Sequence, residues 1–497
     1  MLAQIAERPA TIAERTMIAM TTGGDERITL NDTTGLNRYR TAPRPDAILS
    51  YSSSTANGVS PGAFAAVQRV LEGVAPDGHL SSPTYAEQLD QLRERLRAAY
   101  GLPDSVDVVF AASGTDLEYV GLAVARRRDR PHIDNIVLGL SEIGSGCINS
   151  AQGLHFAKTT PLGIACAPTR PIDAVLASQT RLVNVEIRNA NGVALPSEDV
   201  LLDVGIAIEL ALANNRQPLL HIIHGSKTGL VVPSLEHIDA LRRRHGSDLA
   251  MVVDACQARI SREMILAYLA RGITVFLTGS KFMGGPPFSG MALVPASATQ
   301  RLAPLDAGFA SIFNRAEWPY KWPGSDILPD SANLGLLLRL NASVHELELY
   351  SRLQRGEIRR TLDLFDDAID LLTRTTGTTR VRRAGLTNWD GVPPPLEMRT
   401  LVTLDLSESG LAEDDEDARA LYAALMQDGG TAPAVRLGQP VQCIRLPNGR
   451  FAAVLRIGLS MPQMVDFAGL DSASLRERLN GDMATIASAI LGWTGRR

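Results

Sequence analysis

Thr278-Gly-Ser-Lys281-Phe-Met-Gly-Gly-Pro-Pro-Phe-Ser-Gly290 decides how the rest of this chain is read. An apolar run, Ile273-Thr-Val-Phe-Leu277, leads into it and predicts a short buried strand. The strand ends in small hydroxyl residues, then one lysine, then a glycine-rich turn. Surface lysines usually sit on helix faces among other charges. Lys281 is instead the only charged side chain between Arg271 and Arg301. An uncharged setting lowers an amine's pKa by desolvation, which suits a lysine that forms Schiff bases. The same lysine also fits an ordinary βα loop, and this stretch alone leaves both readings open.

Two other predicted strand ends bear on it. Val108-Val-Phe-Ala-Ala-Ser113-Gly114-Thr115 reads as a strand, a Ser-Gly-Thr turn and a helix start. Backbone N–H groups at a helix N-terminus, with Ser and Thr hydroxyls, form a phosphate cradle, although a plain helix cap has the same composition. Ala250-Met-Val-Val253-Asp254-Ala-Cys-Gln257 puts a carboxylate at the end of another apolar strand. That carboxylate fits a cation such as a protonated pyridine nitrogen, or a helix cap. Asp254 stands 27 residues before Lys281, about one strand–helix–strand unit. Both then lie at the carboxyl edge of one sheet, where α/β ligands bind. One ligand needs a phosphate cradle, a carboxylate for a ring nitrogen and an amine for an aldehyde together: pyridoxal 5′-phosphate (PLP).

These segments, with His221-Ile-Ile-His-Gly-Ser-Lys-Thr228-Gly229-Leu-Val-Val-Pro233, resemble the fold-type I PLP-dependent enzymes, in particular the class V aminotransferase and cysteine desulfurase branch. The likeness covers roughly residues 47–340 and, more faintly, the C-terminal part. It implies that Lys281 forms the Schiff base and moves protons at the substrate α-carbon, and that Asp254 pairs with the ring nitrogen. It implies a place for Gln257 and Ser226 near the ring hydroxyl, and for Ser113, Gly114, Thr115, Thr278 and Ser280 at the phosphate. Ser331-Ala-Asn333 resembles a segment that reaches the neighbouring subunit's phosphate, which implies a homodimer with active sites at the interface. Arg456, in Val454-Leu-Arg-Ile-Gly-Leu-Ser460, matches the substrate arginine, whose fork suits an α-carboxylate. Ser53 and Ser54, in a loop of small polar residues, are further substrate candidates.

The chain departs from that pattern where the family carries a ring-stacking histidine. Here the place reads Ser141-Glu142-Ile143-Gly144-Ser-Gly-Cys147. The ring then packs on Ile143, or His155 supplies its face. The small residues around Gly144 predict room for a large substrate. Lys227 is an added charge, of a kind that more often faces solvent. Cys147 is weighed as a desulfurase-like thiol and set low, because the family's mobile cysteine loop lies further along. Of His221 and His224, one is expected in the core and the other at the site, with no third metal ligand evident.

Periodicity over the 497 residues predicts alternating helices and apolar strands from about 47 to 300, hence an α/β fold with a mainly parallel sheet. The expected division is an irregular N-terminal arm (1–45), a large cofactor-binding domain (46–335), a linking helical stretch (336–375) and a smaller α+β C-terminal domain (376–497), to which the N-terminal segment contributes. A formal net charge of −5 gives no polyanion-binding footprint, so no nucleic acid is expected. Four scattered cysteines make neither a metal site nor a disulfide framework. No run approaches a membrane span, and Glu7, Arg8, Glu14 and Arg15 stand where a signal peptide would be apolar, so a cytoplasmic location is expected. The function expected is PLP-dependent chemistry at the α-carbon of an amino acid. Aminotransfer comes first. Elimination or replacement at the β- or γ-carbon, including carbon–carbon bond formation in specialised metabolism, comes second. A non-catalytic binding protein on the same fold is the reading of another class.

Overall fold

The structure is a computed structural model that describes residues 11–144, 146–381, 396–426 and 434–493. Its main sheet runs, in spatial order, Val106–Ala111, Gly290–Pro295, Thr274–Thr278, Ala250–Asp254, Gln217–His224, Ile133–Leu138 and Thr180–Val185; short Val231–Val232 pairs with Gln217–His224. All neighbours in the run of seven are parallel except Gly290–Pro295, which is antiparallel to both strands beside it. Strands such as Val106–Ala111 and Ile133–Leu138 are buried at every position, as a parallel sheet covered by helices on both faces requires. The carboxyl ends of the parallel strands therefore share one edge, and Asp254 lies there in register with Phe276 and Ile223.

The covering helices start and stop where local chemistry directs. Ser60 caps Pro61–Val74 by accepting from Ala63 N. Ser81 does the same for Ser82–Tyr100, which ends at Gly101 in the left-handed region (φ 59°). That second helix buries Tyr85, Leu89, Leu92, Leu96 and Tyr100, spaced three or four apart along one face. The predicted long helical stretch is two helices, Leu334–Tyr350 and Arg355–Thr376. Arg355–Thr376 packs along Ser472–Leu491. In the C-terminal part, Thr379–Arg380, Leu401–Asp405 and Val454–Gly458 form an antiparallel sheet. Leu49–Tyr51 pairs in parallel with Val435–Leu437, so chain from before the large sheet docks on this C-terminal part.

One expectation needs correction. The stretch before residue 45 is not wholly irregular. Ile12–Met20 is a helix with a capping box between Thr11 and Glu14, the Thr-x-x-Glu pattern that satisfies two orphan N–H groups at once. Gly290–Pro295, after the glycine–proline turn, adds a further strand. The C-terminal part also carries the helix Asp415–Leu425. Among the described residues no helix is long and apolar enough to cross a membrane.

Candidate active site

The shared strand edge opens into a cavity of about 590 Å³. Its floor comes from turns after the strands: Ser113, Gly114 and Thr115; Asp254, Cys256 and Gln257; Thr278, Ser280 and Lys281. One wall is the segment Leu140–Ile148 after a fourth strand, Ser145 lying outside the described residues. Lys227 and Thr228, from the turn after Gln217–His224, line it too. Gln439, Gln442, Arg419 and Arg456 close it from the C-terminal part, and Arg27, Tyr39, Ser54 and Thr55 from the N-terminal segment.

The floor is tightly specified. A Cβ at Gly114 would come within 2.8 Å of Thr278 Cγ2 and 3.2 Å of Cys256 Sγ, so three strand ends converge only because this residue has no side chain. Thr278 Oγ1 donates to the Cys256 carbonyl (2.7 Å). Asn57 Nδ2 donates to the Lys281 carbonyl (2.6 Å) and fixes the backbone of the turn. The Lys281 amine itself makes no hydrogen bond or ion pair among the described residues, although it lines the cavity. Asp254 Oδ1 accepts from Cys256 N (2.9 Å), the capping bond that sequence alone allows, and Asp254 still lines the cavity. Ser113 Oγ donates to Asp116 Oδ2 (2.6 Å), so its hydroxyl is already engaged. Gln257 receives Arg259 Nη1 (2.9 Å) and donates to the Ser54 carbonyl (3.3 Å).

Behind Asp254 lies a buried pair. His221 Nδ1 stands 3.4 Å from Glu118 Oε2, and both side chains are almost wholly enclosed. Burial pushes the Glu118 carboxyl well above the carboxylate range, and the charge on Asp254 pushes it further. Burial pulls His221 down to about 4, against the pull of Asp254 in the other direction. His221 is thus a neutral core histidine beside Glu118 and Phe276. His224 packs edge-on against Tyr268. Neither lines the cavity, against the expectation that one of them would.

Ile143 and Cys147 make an apolar patch on the Leu140–Ile148 wall. Ile143 is buried with Val137 and Cys147. Glu142 turns away to Arg188 (2.6 Å) and the Thr228 hydroxyl (3.2 Å). His155 does not reach the cavity; its segment is held by a backbone bond to Arg170. Burial pushes the Cys147 thiol far up, so it stays protonated.

At the opposite end Arg456 is buried and carries no carboxylate partner among the described residues. Its Nε donates to the Gln439 carbonyl (2.8 Å), Nη1 to the Lys227 carbonyl (3.2 Å) and Nη2 to Thr55 Oγ1 (3.2 Å). Burial pulls it down to about 10. Lys227 faces inward rather than to solvent: its ammonium donates to the Ser141 carbonyl (2.9 Å).

Three expected residues are elsewhere. Ser226 does not line the cavity; its hydroxyl accepts from Thr228 N and Leu230 N (3.2 and 3.1 Å), closing a tight turn. Ser53 is buried outside it, bonded to the Leu459 carbonyl (2.6 Å) and to Arg259. Ser331 lines a separate cavity of about 620 Å³ with Ile18, Ala19 and Leu162. Arg27, Tyr39, Arg419, Gln439 and Gln442 were not indicated by any local pattern, since each reaches the cavity from a segment remote from the strand ends.

No protein-family model and no curated protein matches this chain. Among solved structures it is similar to the cysteine desulfurase CsdA (S-sulfonic acid) from Escherichia coli, with 16% identity and a TM-score of 0.54 over 90% of this chain and 94% of that one. It is similar also to the apo cysteine desulfurase from Thermococcus onnurineus NA1, with 15% identity and a TM-score of 0.51 over 87% and 95% of the two chains. A third is the cystine C-S lyase C-DES in complex with its product cysteine persulfide, with 13% identity and a TM-score of 0.52 over 88% and 97%. At such identities the likeness establishes the fold. With the strand order above, it is the fold of type I PLP-dependent transferases, a mainly parallel α/β sheet with a smaller C-terminal part.

Proposed function

We propose that this chain is a PLP-dependent enzyme acting at the α-carbon of an amino-acid substrate, with aminotransfer as the first reading. One observation carries it: an unpartnered lysine amine and a strand-end carboxylate share a cavity with a helix N-terminus at one end and a buried arginine lacking a carboxylate at the other. The residues fit the cofactor. Gly114 lets the Thr278 and Cys256 turns close in beside the start of the Leu117–Ala125 helix, where Thr115, Thr278 and Ser280 line the cavity and would hold a phosphate.

Bound there, the cofactor would supply an electron-withdrawing ring that accepts the electron pair released at the substrate α-carbon. Lys281 Nζ would hold the aldehyde carbon. The same Nζ would hold or move a proton at the substrate α-carbon. Asp254 would keep a proton on the ring nitrogen, and the Glu118 carboxyl behind it, held neutral, adds no second negative charge there. The Arg456 guanidinium, which lines the cavity, would take the substrate carboxylate, and Ile143 would exclude water from one face of the ring. A homodimer is part of this reading, supported by the resemblance at Ser331-Ala-Asn333 and by the cavity that Ser331 shares with the exposed Ile18.

The second reading, elimination or replacement at the β- or γ-carbon, has its own support. No histidine stands at the ring-facing wall, and solved relatives in fold cleave carbon–sulfur bonds, as the C-S lyase does. The protonated Cys147 thiol argues against a persulfide relay through that residue.

The test is to mix the protein with PLP, reduce with borohydride and map the modified peptide by mass. Attachment at Lys281, lost in Lys281→Ala, is the expected result. A colourless protein with no adduct would sink the cofactor reading. Amino acids are then screened without a keto-acid acceptor. Accumulation of the amine form of the cofactor supports transfer, while release of a side-chain fragment as free product supports elimination.

A further inference from the structure

The N-terminal segment is fastened to the large domain by Arg339 of the helix Leu334–Tyr350 and by that helix's cap, Asn333. Asn333 Nδ2 donates to the Gly23 carbonyl (3.0 Å). Arg339, wholly buried in the helix Leu334–Tyr350, donates to the carbonyls of Phe288 (2.7 Å), Met20 (2.8 Å), Gly23 (2.8 Å) and Thr22 (2.5 Å). Four of these bonds, those to Met20, Thr22 and Gly23, bolt the end of the first helix to the large domain. The chain then makes a short turn, Glu26–Ile28, capped by the Asp25 carboxylate. Arg27 is the middle residue of that turn.

The Arg27 guanidinium is aimed rather than loose. Asp25 receives its Nε (2.8 Å) and Nη2 (2.6 Å), the paired geometry that fixes the plane of the fork. Phe156 and Phe288 lie 5.0 and 4.8 Å from its central carbon. The remaining nitrogen, Nη1, points at Thr115 Oγ1 across 3.4 Å. Asp25 belongs to the same turn, so this ion pair ties nothing to the domain; Arg339 and Asn333 already do that. A neutral hydroxyl at 3.4 Å is also a weak partner for a cation. What stands beside Thr115 is the start of the Leu117–Ala125 helix, with Gly114 and Thr115 inside the cavity that Arg27 lines.

We propose that Arg27 is a phosphate-binding residue, the cation that completes the Gly114–Thr115 cradle from the N-terminal segment of the same chain. The inference rests on the PLP reading above. A phosphate monoester carries between one and two negative charges near neutral pH, and the cradle otherwise offers only neutral donors. An acidic side chain, Asp25, lies close by, and without the guanidinium its charge would repel a phosphate. The segment expected to be an irregular arm then has a defined task, with Arg339 and Asn333 as its positioning residues.

The experiment compares PLP with pyridoxal, which has the same aldehyde and ring but no phosphate. Dissociation constants for both are measured by equilibrium dialysis on the wild type, Arg27→Ala and Arg27→Gln. In Arg27→Ala the preference for PLP over pyridoxal is expected to narrow by roughly tenfold or more, the scale of one hydrogen bond to a charged group, while pyridoxal affinity stays within about twofold. Arg27→Gln keeps a planar side chain between the two rings. It carries the same comparison should the alanine variant fail to fold. An unchanged preference, or an equal loss for both ligands, overturns the inference, the second because it would mean that Arg27 only shapes the turn. A wild type that binds neither ligand at Lys281 overturns the PLP reading itself, and this inference with it. A wild type that prefers PLP beside a variant that also does leaves the PLP reading standing and removes Arg27 from it.

Discussion

The Gly114 end and the Arg456 end of the cavity lie on one sheet edge but are put together differently. At the Gly114 end, the contacts run between turns that follow strands: Gly114 against Thr278 and Cys256, and Thr278 Oγ1 on the Cys256 carbonyl. The sheet order alone brings these turns together. At the Arg456 end, one guanidinium gathers Gln439, Lys227 and Thr55, which come from three separate parts of the chain. Nothing in the large sheet dictates that gathering; it depends on how the C-terminal part docks. The first end is thus fixed by topology and the second by packing between parts. A cofactor common to a fold suits the first kind of construction. A substrate particular to one enzyme suits the second.

The sharpest way to break this contrast is at Asp254. Under the proposed function, Asp254→Ala should lower turnover by roughly a thousandfold, within the range that positioned acid–base groups supply. The borohydride-trapped adduct at Lys281 should still form. Retained turnover would mean that the topologically fixed end does not govern the chemistry. Next in size is Arg456→Gln. It should raise KM for the amino acid by roughly a hundredfold, the scale of a lost two-pronged charged contact, with the PLP dissociation constant little changed. A large loss of PLP affinity instead would show that the two ends are not separable.

The same contrast explains what could be read from the sequence. Lys281, Asp254 and Gly114 each follow an apolar run of strand length, and their spacing by strand–helix units puts them on one edge. Arg27 and Arg419 have no such frame: one sits in a turn bolted down by Arg339, the other on a helix more than a hundred residues past the sheet. The small hydroxyl residues were harder still. Ser226, Ser53 and Ser54 look alike in sequence, yet Ser226 closes a turn, Ser53 serves Leu459 and Arg259, and only Ser54 lines the cavity. A serine's role depends on which carbonyl or N–H lies within reach, and that is decided by chain far away. The helix Ile12–Met20 was legible in its Thr11–Glu14 capping box, although Gly23-Gly24 just beyond it suggests loop.

A third prediction concerns the wall between the ends. Glu142 is buried against Arg188, which also holds the Gly192 carbonyl (2.7 Å). Glu142→Gln leaves the guanidinium without its carboxylate, a change that costs about 3 kcal/mol when one partner of a buried pair is removed. The expected result is a lower midpoint in thermal unfolding, with PLP affinity close to wild type. An unaltered midpoint would mean that water, not Glu142, satisfies Arg188.

The smallest effect is expected from Asp116, the buried acid at the Gly114 end. Burial raises its pKa to about 7, against the lowering bonds from Ser113. The folded protein therefore keeps a proton on Asp116 that the unfolded chain has already lost above about pH 4. By linkage, this group's contribution falls as pH rises from about 4 to about 7 and is flat above that. His221 acts in the opposite sense over nearly the same window. Its folded pKa is near 4, so the unfolded chain takes up a proton first as pH falls below about 6.5, and stability is lost on acidification. The two slopes offset one another in the wild type. Asp116→Asn removes only the first, so the midpoint of the variant relative to wild type should climb steadily between about pH 4 and pH 7 and then level off. The measurement is thermal unfolding across that range without added PLP. A difference that does not vary with pH would place the Asp116 proton outside the folding equilibrium. The Gly114 end would then be held by Gly114 and the Ser113 bonds alone, with no titrating group among its supports.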